Sequence, residues 1–320
     1  MAINSVFAAI KDDMKLVEQV LAQSVLSDNP TFTQINRYIL EAGGKRMRPA
    51  LLILCARLGR PDEDAMAAAA ASVEMVHMAS LIHDDIVDGT AMRHSQPTAH
   101  TTWGSRAVVA SADYIFAKSF VVLGAHDQDG RLVKLLAKAV KDLSEGEILQ
   151  QMAVTRQDMD RDAYLARITK KTASLFETSC KMGAVIGGLG SKQEESLAGY
   201  GQRVGIAFQI LDDILDIIGD ERATGKSVGT DIRDGVPTLP IIEGAREDRR
   251  IGDIFNRKDK EPEDIYEALK LVRKSGGITA AKQAGSGFVE RGIDSLAIFD
   301  GGPWVSQLRS LAGFVMERYH

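Results

Sequence analysis

The stretch VEMVHMASLIHDDIVD, residues 73–88, joins a long apolar run to a cluster of aspartates. A second stretch of the same kind, GIAFQILDDILDIIGD, occupies residues 205–220. An acidic helix face in solvent normally carries Lys or Arg partners four residues away, and neither stretch has them. We therefore interpret both as largely buried helices that end in functional carboxylates, rather than as two exposed acidic helix ends.

The two motifs, DDIVD and DDILD, place carboxylates at positions i, i+1 and i+4. On a helix, the first and last of these share one face, with Cβ atoms roughly 5–6 Å apart, and their charges repel. A cation is therefore expected there in the working state. Mg²⁺ prefers oxygen ligands and typically binds one or two carboxylates plus substrate phosphates. The motifs predict several Mg²⁺ ions that hold one phosphorylated ligand from two sides, with ligands Asp84, Asp88, Asp212 and Asp216.

Composition excludes several classes of protein. The formal net charge of −5 over 320 residues gives no basic footprint for nucleic acid. Cys55 and Cys180 lack metal-ligand spacing, so we expect buried thiols in a reducing cytosol. The N-terminus lacks a signal-peptide pattern, and we expect no apolar run to reach the length that spans a membrane. These features predict a cytoplasmic protein without a nucleic-acid partner.

Helical periodicity extends over almost the whole chain, and no segment alternates convincingly as a strand. No Pro/Ser-rich linker divides the sequence, so we predict one all-α domain over residues 1–320, a large helical bundle around a central cavity. The Gly-, Pro- and charge-rich segment 219–240 is interpreted as a lid, and 89–98 as a loop. Helices are predicted at 4–24, 31–42, from after Pro49 to near 59, from after 64 to 88, and at 105–125, 131–154, 164–189 with a break near 169, 193–218, 238–247, 262–275, 277–294 and 303–318.

Basic residues supply the other half of a phosphate site. The loop GGKRMRP, residues 43–49, offers glycines for close backbone approach and Arg for bidentate binding of phosphate; alone it would indicate a charged helix C-cap. Arg93, His94 and His100 follow the first motif, and His77 lies on its helix, seven residues before Asp84. Lys171, Thr172 and Lys226 are either solvated or part of a cavity.

In this order and over essentially the whole chain, these features resemble the trans-type isoprenyl diphosphate synthases, most closely the long-chain heptaprenyl and octaprenyl enzymes. The resemblance implies a cluster of three Mg²⁺ ions with bound diphosphate. It also implies that Asp84 and Asp88 bind the allylic diphosphate through Mg²⁺, with Asp85 in support, and that the second motif acts chiefly through Asp212. The matching stretches are GGKRMRP, the His77 helix, DDIVD with Arg93 and Pro97-Thr98, Lys171-Thr172, Gln209 with DDILD, and Lys226.

The resemblance also implies substrate contacts. Lys45, Arg48 and His77 match positions that hold isopentenyl diphosphate, and Arg93 matches one that contacts the allylic diphosphate. The positions that match the lining of the reacting centre are Lys171, Thr172, Gln209 and Lys226. Three positions depart from the family pattern: His94 stands in place of a second Arg as a diphosphate contact, Ser95 in place of the Gly after it, and Val236 in place of a frequent Lys.

Product length is expected to depend on the residues one helical turn before Asp84. Short-chain members usually carry an aromatic floor there, whereas this chain has Ala79 and Ser80. Small side chains leave a tunnel open, with Phe116 and Phe120 on its far wall. The alternative is that these two residues only permit close helix packing.

The function implied is elongation of farnesyl or geranylgeranyl diphosphate with isopentenyl diphosphate to a long-chain all-trans product for quinone side chains. A homodimer is expected, with peripheral membrane contact when product is released. The alternatives are a short-chain farnesyl or geranylgeranyl diphosphate synthase, a terpene cyclase and a regulatory subunit. Cyclases generally lack the isopentenyl diphosphate residues, and regulatory subunits typically lose the acidic motifs.

Overall fold

The structure is a computed structural model that describes residues 2–93, 96–156, 159–219 and 228–317. Helix accounts for 80% of it, and the predicted all-α class is confirmed. The strands in these ranges are β1, Met92–Arg93, and β2, Gln96–Pro97, which pair antiparallel with Arg93 opposite Gln96. The predicted loop at 89–98 therefore contains a short hairpin.

Two helices of the N-terminal half, the third and the fifth, begin at residues whose side chains cap the helix. Asn29 accepts a hydrogen bond from the Thr31 amide at 2.9 Å, and Asp62 accepts one from the Ala65 amide at 2.8 Å. Both are N-caps, which satisfy amides that have no partner within the helix. The helices of this half are α1 Ala2–Ala9, α2 Lys11–Ser24, α3 Pro30–Glu41, α4 Met47–Ala56, α5 Glu63–Val87, α6 Ala99–Trp103 and α7 Ser105–Gly124.

The C-terminal half continues with long helices and one irregular turn. A π-helical segment, Thr169–Ala173, lies where a break near residue 169 was predicted. A short 3₁₀ turn, Leu296–Ile298, precedes the last helix. The helices are α8 Arg131–Arg156, α9 Arg161–Ile168, α10 Ser174–Ile186, α11 Ser191–Ile218, α12 Thr230–Asp234, α13 Leu239–Glu247, α14 Arg249–Phe255, α15 Pro262–Lys274, α16 Gly277–Ser295 and α17 Pro303–Glu317.

Some predicted boundaries are wrong for identifiable reasons. Helix α4 begins before Pro49, because a proline in the first turn lacks only an amide hydrogen that would have no helical acceptor. The predicted helix 4–24 is two helices that meet at Ile10, with φ −113° and ψ 20°. Helices α6, α12 and α14 were missed because five to seven residues are too few to show a helical period.

The chain divides into two compact units, each with its own core. The first comprises Met1–Val140, Thr178–Ala198 and Ile298–Leu308. The second comprises Lys141–Glu177, Gly199–Ala297 and Arg309–His320. The interpretation of residues 1–320 as one domain stays a prediction.

In the first unit, α5 packs against α2, α4 and α7. The residues of its alanine run, 67–71, are all buried, and these small side chains let neighbouring helices approach closely. Glycines do the same between α4 and α10. A Cβ atom at Gly183 would lie 2.2 Å from the Leu52 carbonyl oxygen, and one at Gly59 would lie 1.9 Å from that of Gly187. This packing places the end of α5, and thus the first acidic motif, on a rigid element.

In the second unit, α11 presents a stripe of isoleucines four residues apart, Ile206, Ile210 and Ile214. They pack in one cluster with Tyr164 of α9 and Leu239 of α13. The second acidic motif lies in the last turns of α11, and Ile214 of this stripe is part of it. Its position is therefore fixed by the same apolar cluster.

Within the part of the chain that the structure describes, two helices are long and apolar enough to cross a membrane by length and composition, so the expectation that no run reaches this length is wrong. In α5, 78% of the apolar window is buried, as in the core helix of a globular unit. In α7, Ser105–Gly124, the buried share is 33%.

We expect Gly183→Ala to reduce the free energy of unfolding by about 1–3 kcal/mol, because the added methyl group overpacks the α4–α10 contact. Urea or thermal unfolding measures this. Gly124→Ala is the matched control, since a Cβ atom there meets nothing within 4 Å, and we expect it to be neutral or stabilising. Equal unfolding free energies for the two variants would contradict the packing described here.

Candidate active site

The first acidic motif forms the C-terminal end of α5. The Asp88 amide donates to the Asp84 carbonyl oxygen at 2.8 Å, so the two residues are one helical turn apart, as predicted. Asp84 is partly buried and Asp88 is exposed. The C-terminal end of a helix carries partial negative charge, which adds to the repulsion between these carboxylates. The arrangement is therefore favourable only with a cation nearby.

Asp85, the middle aspartate, is held by Arg93 of β1. It is 8% exposed, and the Arg93 guanidinium donates to its two carboxylate oxygens, with Nε–Oδ1 at 2.9 Å and Nη2–Oδ1 at 2.7 Å. The Asp85 carbonyl oxygen also accepts from the Thr90 amide at 2.9 Å. The hairpin is thereby folded back on the end of α5. Arg93, assigned by resemblance to the allylic diphosphate, is paired with a carboxylate in this structure.

Asp213 occupies the equivalent position in the second motif, at the end of α11. It is 5% exposed and accepts hydrogen bonds from the Tyr164 hydroxyl at 2.7 Å and from Gln209 Nε2 at 2.8 Å. Burial raises its pKa to about 6, and the two hydrogen bonds counteract part of that effect. Asp212 beside it is partly buried.

Asp216 anchors the segment that follows the second motif. Its carboxylate accepts from the amides of Thr230 at 3.2 Å and Asp231 at 3.1 Å, and its carbonyl oxygen accepts from Gly229 at 2.9 Å. Burial raises the pKa of Asp216. Burial, with the charges of Asp216 and Asp213, raises the pKa of Asp231 well above its usual range.

The two motifs thus share one design. In each, the second aspartate is buried and held by neighbouring side chains, and the first keeps accessible surface. We conclude that Asp85 and Asp213 fix the helix ends. Asp84 and Asp212 are less buried than the aspartates that follow them.

Within the described ranges, no group of three or more His, Cys, Asp or Glu is arranged to hold a metal ion by itself. Zinc-type sites require such a group. Mg²⁺ instead uses one or two carboxylates and completes its shell with water and phosphate oxygens. The donor set therefore fits Mg²⁺, with Asp84 and Asp88 in one unit and Asp212 and Asp216 in the other.

The basic residues of the first unit gather around His77. Burial lowers the pKa of His77 well below its usual range, and the charges of Arg48, Arg93 and Arg46 lower it further. His77 is therefore neutral at physiological pH and can donate one hydrogen bond. The structure brings Arg48 and Arg93 close enough to His77 for their charges to act on it, in a region whose positive potential favours an anion.

Arg46 was not singled out in the sequence, yet it positions this region. It adopts a left-handed conformation with φ 48°, which is uncommon outside glycine. Its Nε donates to Glu18 at 2.8 Å and its Nη1 to Glu74 at 3.0 Å, so it ties the basic loop to α2 and α5. No sequence signal separates Arg46 from its neighbours, because the difference lies in its partners.

A cavity of about 810 Å³ lies beside this loop, lined by residues of α1 and α2 together with Lys45 and Arg46. A second cavity, of about 600 Å³, is lined by residues of α3 and by Trp103. Neither of these two is lined by an aspartate of the acidic motifs. The acidic motifs and their partners, rather than either cavity, therefore indicate the chemistry of the site.

Three of the four residues predicted for the reacting centre, Lys171, Thr172 and Gln209, lie at or against the π-helical segment. Thr172 donates to Gln209 Oε1 at 2.7 Å, and Gln209 in turn donates to Asp213. Lys171 pairs with Glu147 at 2.5 Å. The wider turn of a π-segment often marks a functional site. The structure adds Tyr164 to this chain of hydrogen bonds, and a buried tyrosine gives no signal of that role in the sequence.

The remaining predicted residues have mixed outcomes. His94, Lys226 and residues 220–227 of the predicted lid lie outside the described residues. The Phe116 and Phe120 rings are in contact on α7, with centroids 5.9 Å apart. Ala79 has no accessible surface, whereas Ser80 is partly exposed.

In both sequence and structure, this chain is similar to proteins of one family. The sequence profile described as polyprenyl synthetase matches residues 29–272. The chain belongs to the polyprenyl synthetase family. The crystal structure of a polyprenyl synthase from Caulobacter crescentus CB15, complexed with calcium and isoprenyl diphosphate, has a TM-score of 0.94 and 32% identity, and the match covers 99% of this chain and 98% of that one.

Two further polyprenyl synthetase relatives bear on the product. A decaprenyl diphosphate synthase structure from Rhodobacter capsulatus has a TM-score of 0.92 and 34% identity, covering 99% of each chain. A geranylgeranyl diphosphate synthase of Methanosarcina mazei is 32% identical over 287 residues, 88% of each chain. The resemblance found in the sequence is confirmed, and the protein is a prenyltransferase of this family.

We expect Gly146→Ala to lower turnover by about 100-fold, the cost of a displacement of roughly 1 Å in a catalytic group. A Cβ atom at Gly146 would lie 2.4 Å from the Lys171 amide nitrogen, so the π-segment must move. Prenyl transfer per folded enzyme is the measurement, with Gly124→Ala as the control. Unchanged turnover in a folded Gly146→Ala enzyme would show that the position of Lys171 and Thr172 does not matter.

Proposed function

We propose that this prenyltransferase extends farnesyl or geranylgeranyl diphosphate with isopentenyl diphosphate to a long-chain all-trans polyprenyl diphosphate for quinone side chains. The observation that carries the proposal is the repeated acidic helix end, with one aspartate locked and another accessible, together with the arginines around His77. The similarity to a decaprenyl diphosphate synthase supports a long product.

Substrate binding divides between the two kinds of site. Lys45, Arg48 and neutral His77 bind the diphosphate of isopentenyl diphosphate through charge and hydrogen bonds. Asp84, Asp88, Asp212 and Asp216 hold Mg²⁺, for which we propose three ions with the allylic diphosphate. When bound, Mg²⁺ neutralises charge on the departing diphosphate.

Reaction begins when the bond between C1 of the allylic chain and its diphosphate oxygen breaks, and the oxygen keeps the electron pair. The isopentenyl double bond then attacks the allylic cation, and the resulting cation loses a proton to the released diphosphate. The dipoles of the Thr172 hydroxyl and the Gln209 amide stabilise the positive charge of the allylic cation. Lys171 and Lys226 add positive charge for the diphosphates, and His94 contributes a hydrogen-bond donor or, when protonated, a further charge. Water must be excluded, because it would capture the cation.

Chain length is proposed to depend on Ser80 more than on Ala79. Ser80 is partly exposed and donates to the His77 carbonyl oxygen at 2.8 Å, whereas Ala79 is enclosed by its neighbours. Ser80 also lies one helical turn before Asp84, and a turn advances roughly 5.4 Å, about one extended isoprene unit. Phe116 and Phe120 are proposed as the far wall.

The second candidate is a short-chain synthase, favoured by the similarity to the geranylgeranyl diphosphate synthase. Incubation of the purified protein with Mg²⁺, isopentenyl diphosphate and farnesyl diphosphate, followed by sizing of the products, separates the two. A product of three or four isoprene units would replace the long-chain proposal with this one. A cyclase is disfavoured by Lys45, Arg48 and His77, and a regulatory subunit by the presence of both acidic motifs.

We further propose a cytoplasmic homodimer that contacts the membrane peripherally when the product leaves. Support comes from α7, which is apolar yet only one-third buried over its window, with Val121 66% exposed and Val109 37% exposed. A second copy of the chain would cover this surface. The molecular mass of the purified protein in solution tests whether the chain forms a dimer.

We expect Asp84→Ala and Asp212→Ala to lower turnover by several orders of magnitude while the fold persists. Each removes a carboxylate from a negative helix end, so the free energy of unfolding without Mg²⁺ should hold or rise. Turnover and urea unfolding measure the two effects. Asp253→Ala, at an exposed position on α14, is the control. Near-normal turnover of the Asp84 variant would refute the magnesium assignment.

We expect Ser80→Phe to shorten the product to about three or four isoprene units, from about six to ten in the unmodified enzyme, at one unit per helical turn. Ala79→Phe is the contrasting variant. A ring at that enclosed position overpacks the core and should cost about 1–3 kcal/mol of stability. Chromatography of the products and thermal unfolding measure the two effects. An active Ser80→Phe enzyme with unchanged products would rule out a tunnel beside Ser80.

A further inference from the structure

Arg167, on α9, is a buried cation that the reaction scheme does not use. It is 3% exposed, its Nη2 donates to the Pro237 carbonyl oxygen at 2.6 Å, and its guanidinium carbon lies 5.4 Å from the centroid of the Tyr164 ring. A guanidinium in the interior is costly unless its charge and donors are used. Pro237 and Tyr164 account for only part of them.

The other terminal nitrogen of Arg167, Nη1, is buried and has no hydrogen-bond acceptor among the described residues. A buried donor left unsatisfied costs roughly 1–3 kcal/mol. The guanidinium lies against the ring of Tyr164, whose hydroxyl donates to Asp213 of the second acidic motif at 2.7 Å. In the described ranges, no ion pair joins Arg167 directly to Asp213 or Asp231. The arginine therefore acts on the second acidic motif through its charge and through the backbone it holds.

The segment 228–238 is anchored at both ends. Asp216 holds its beginning by accepting the amides of Thr230 and Asp231, and Arg167 holds its end at the Pro237 carbonyl oxygen. Tyr164, one turn before Arg167 on the same helix, holds Asp213. One short helix thus fixes both the end of α11 and the chain that returns past it.

We propose that Arg167 is a positioning residue for prenyl transfer: it fixes segment 228–238 against α9 and supplies the permanent positive charge that the second acidic motif requires. Val236 carries no charge, and a cation from α9 reaches the next residue, Pro237. The proposal rests on the assignment of Mg²⁺ to Asp212 and Asp216. Because Arg167 fixes segment 228–238, Asp231 stays beside Asp216, and the carboxylates of the second acidic motif are in position before Mg²⁺ and diphosphate bind.

The test compares Arg167→Met with the wild type. Methionine keeps most of the packing volume of the arginine stem and removes the charge and both donors. We expect the Mg²⁺ concentration for half-maximal turnover to rise about 10–100-fold, as for other residues that orient metal ligands. The KM for isopentenyl diphosphate, which depends on Lys45, Arg48 and His77, should stay within about twofold because that site is separate.

A second readout does not depend on activity. Hydrogen exchange of the amides in 229–234 should be faster in Arg167→Met than in wild type without Mg²⁺. The thermal stabilisation by Mg²⁺ with inorganic diphosphate should require correspondingly more Mg²⁺. Arg161→Met is the matched control, because Arg161 lies on the same helix. Its side chain is 44% exposed, and its Nη1 lies 3.4 Å from Oε1 of Glu243, which is outside segment 228–238. This variant should leave all three measurements unchanged.

A rescue variant tests the role of charge. Val236→Lys in the Arg167→Met background returns a cation next to Pro237 and should lower the Mg²⁺ requirement again. If it does not, charge is not what Arg167 contributes, and the proposal is wrong in that respect. If Arg167→Met does not fold, Arg167→Lys replaces it. Lysine should shift the Mg²⁺ requirement in the same direction by a smaller factor, and an unchanged requirement overturns the proposal.

The possible failures are distinguishable. Equal loss of thermal stability with and without Mg²⁺ and diphosphate, at an unchanged Mg²⁺ requirement, would make Arg167 a purely structural residue and overturn the proposal. If the wild type itself gains no stability from Mg²⁺ and diphosphate, the magnesium assignment fails instead. In that case, hydrogen exchange at 229–234 still decides whether Arg167 anchors the segment.

Discussion

Repulsion between carboxylates at the negative ends of two helices is the constraint on which the rest of the structure depends. Asp84 and Asp88 close α5, and Asp212 and Asp216 close α11, so each cluster adds negative charge where the helix dipole is already negative. The fold tolerates this because each helix is secured elsewhere, α5 by its buried alanine face and α11 by its isoleucine stripe. Apolar packing along the two helices therefore stabilises an arrangement that electrostatics alone would disrupt.

Much of this could be predicted from the sequence, since it follows from local patterns. Apolar spacing indicated the long helices, and two acidic motifs with a basic loop indicated diphosphate chemistry. The hairpin at 92–97 and the short helices α6, α12 and α14 were missed because they contain too few residues to show a period. Their positions are set by tertiary hydrogen bonds, such as those from Thr230 and Asp231 to Asp216.

Residue roles were harder to predict than residue positions. Asp84 and Asp85 are adjacent and identical in the sequence, yet Arg93 holds one of them and the other keeps accessible surface. Arg46 and Arg48 lie in one motif, but Arg46 is taken up by Glu18 and Glu74. These distinctions depend on partners 8 to 28 residues away, and short-range spacing carries no information about them.

The carboxylate of Asp216 has a consequence for the energetics of the whole site. The same two oxygens that accept backbone amides at the start of α12 belong to the motif for which we propose Mg²⁺ as the ligand. Two events that share one group are thermodynamically linked, and the linkage is reciprocal. Any factor that orders the start of α12 must change the affinity of the motif for its cation, and cation binding must change the order of α12 by the same free energy. The aspartate thereby couples chain folding to ligand occupancy.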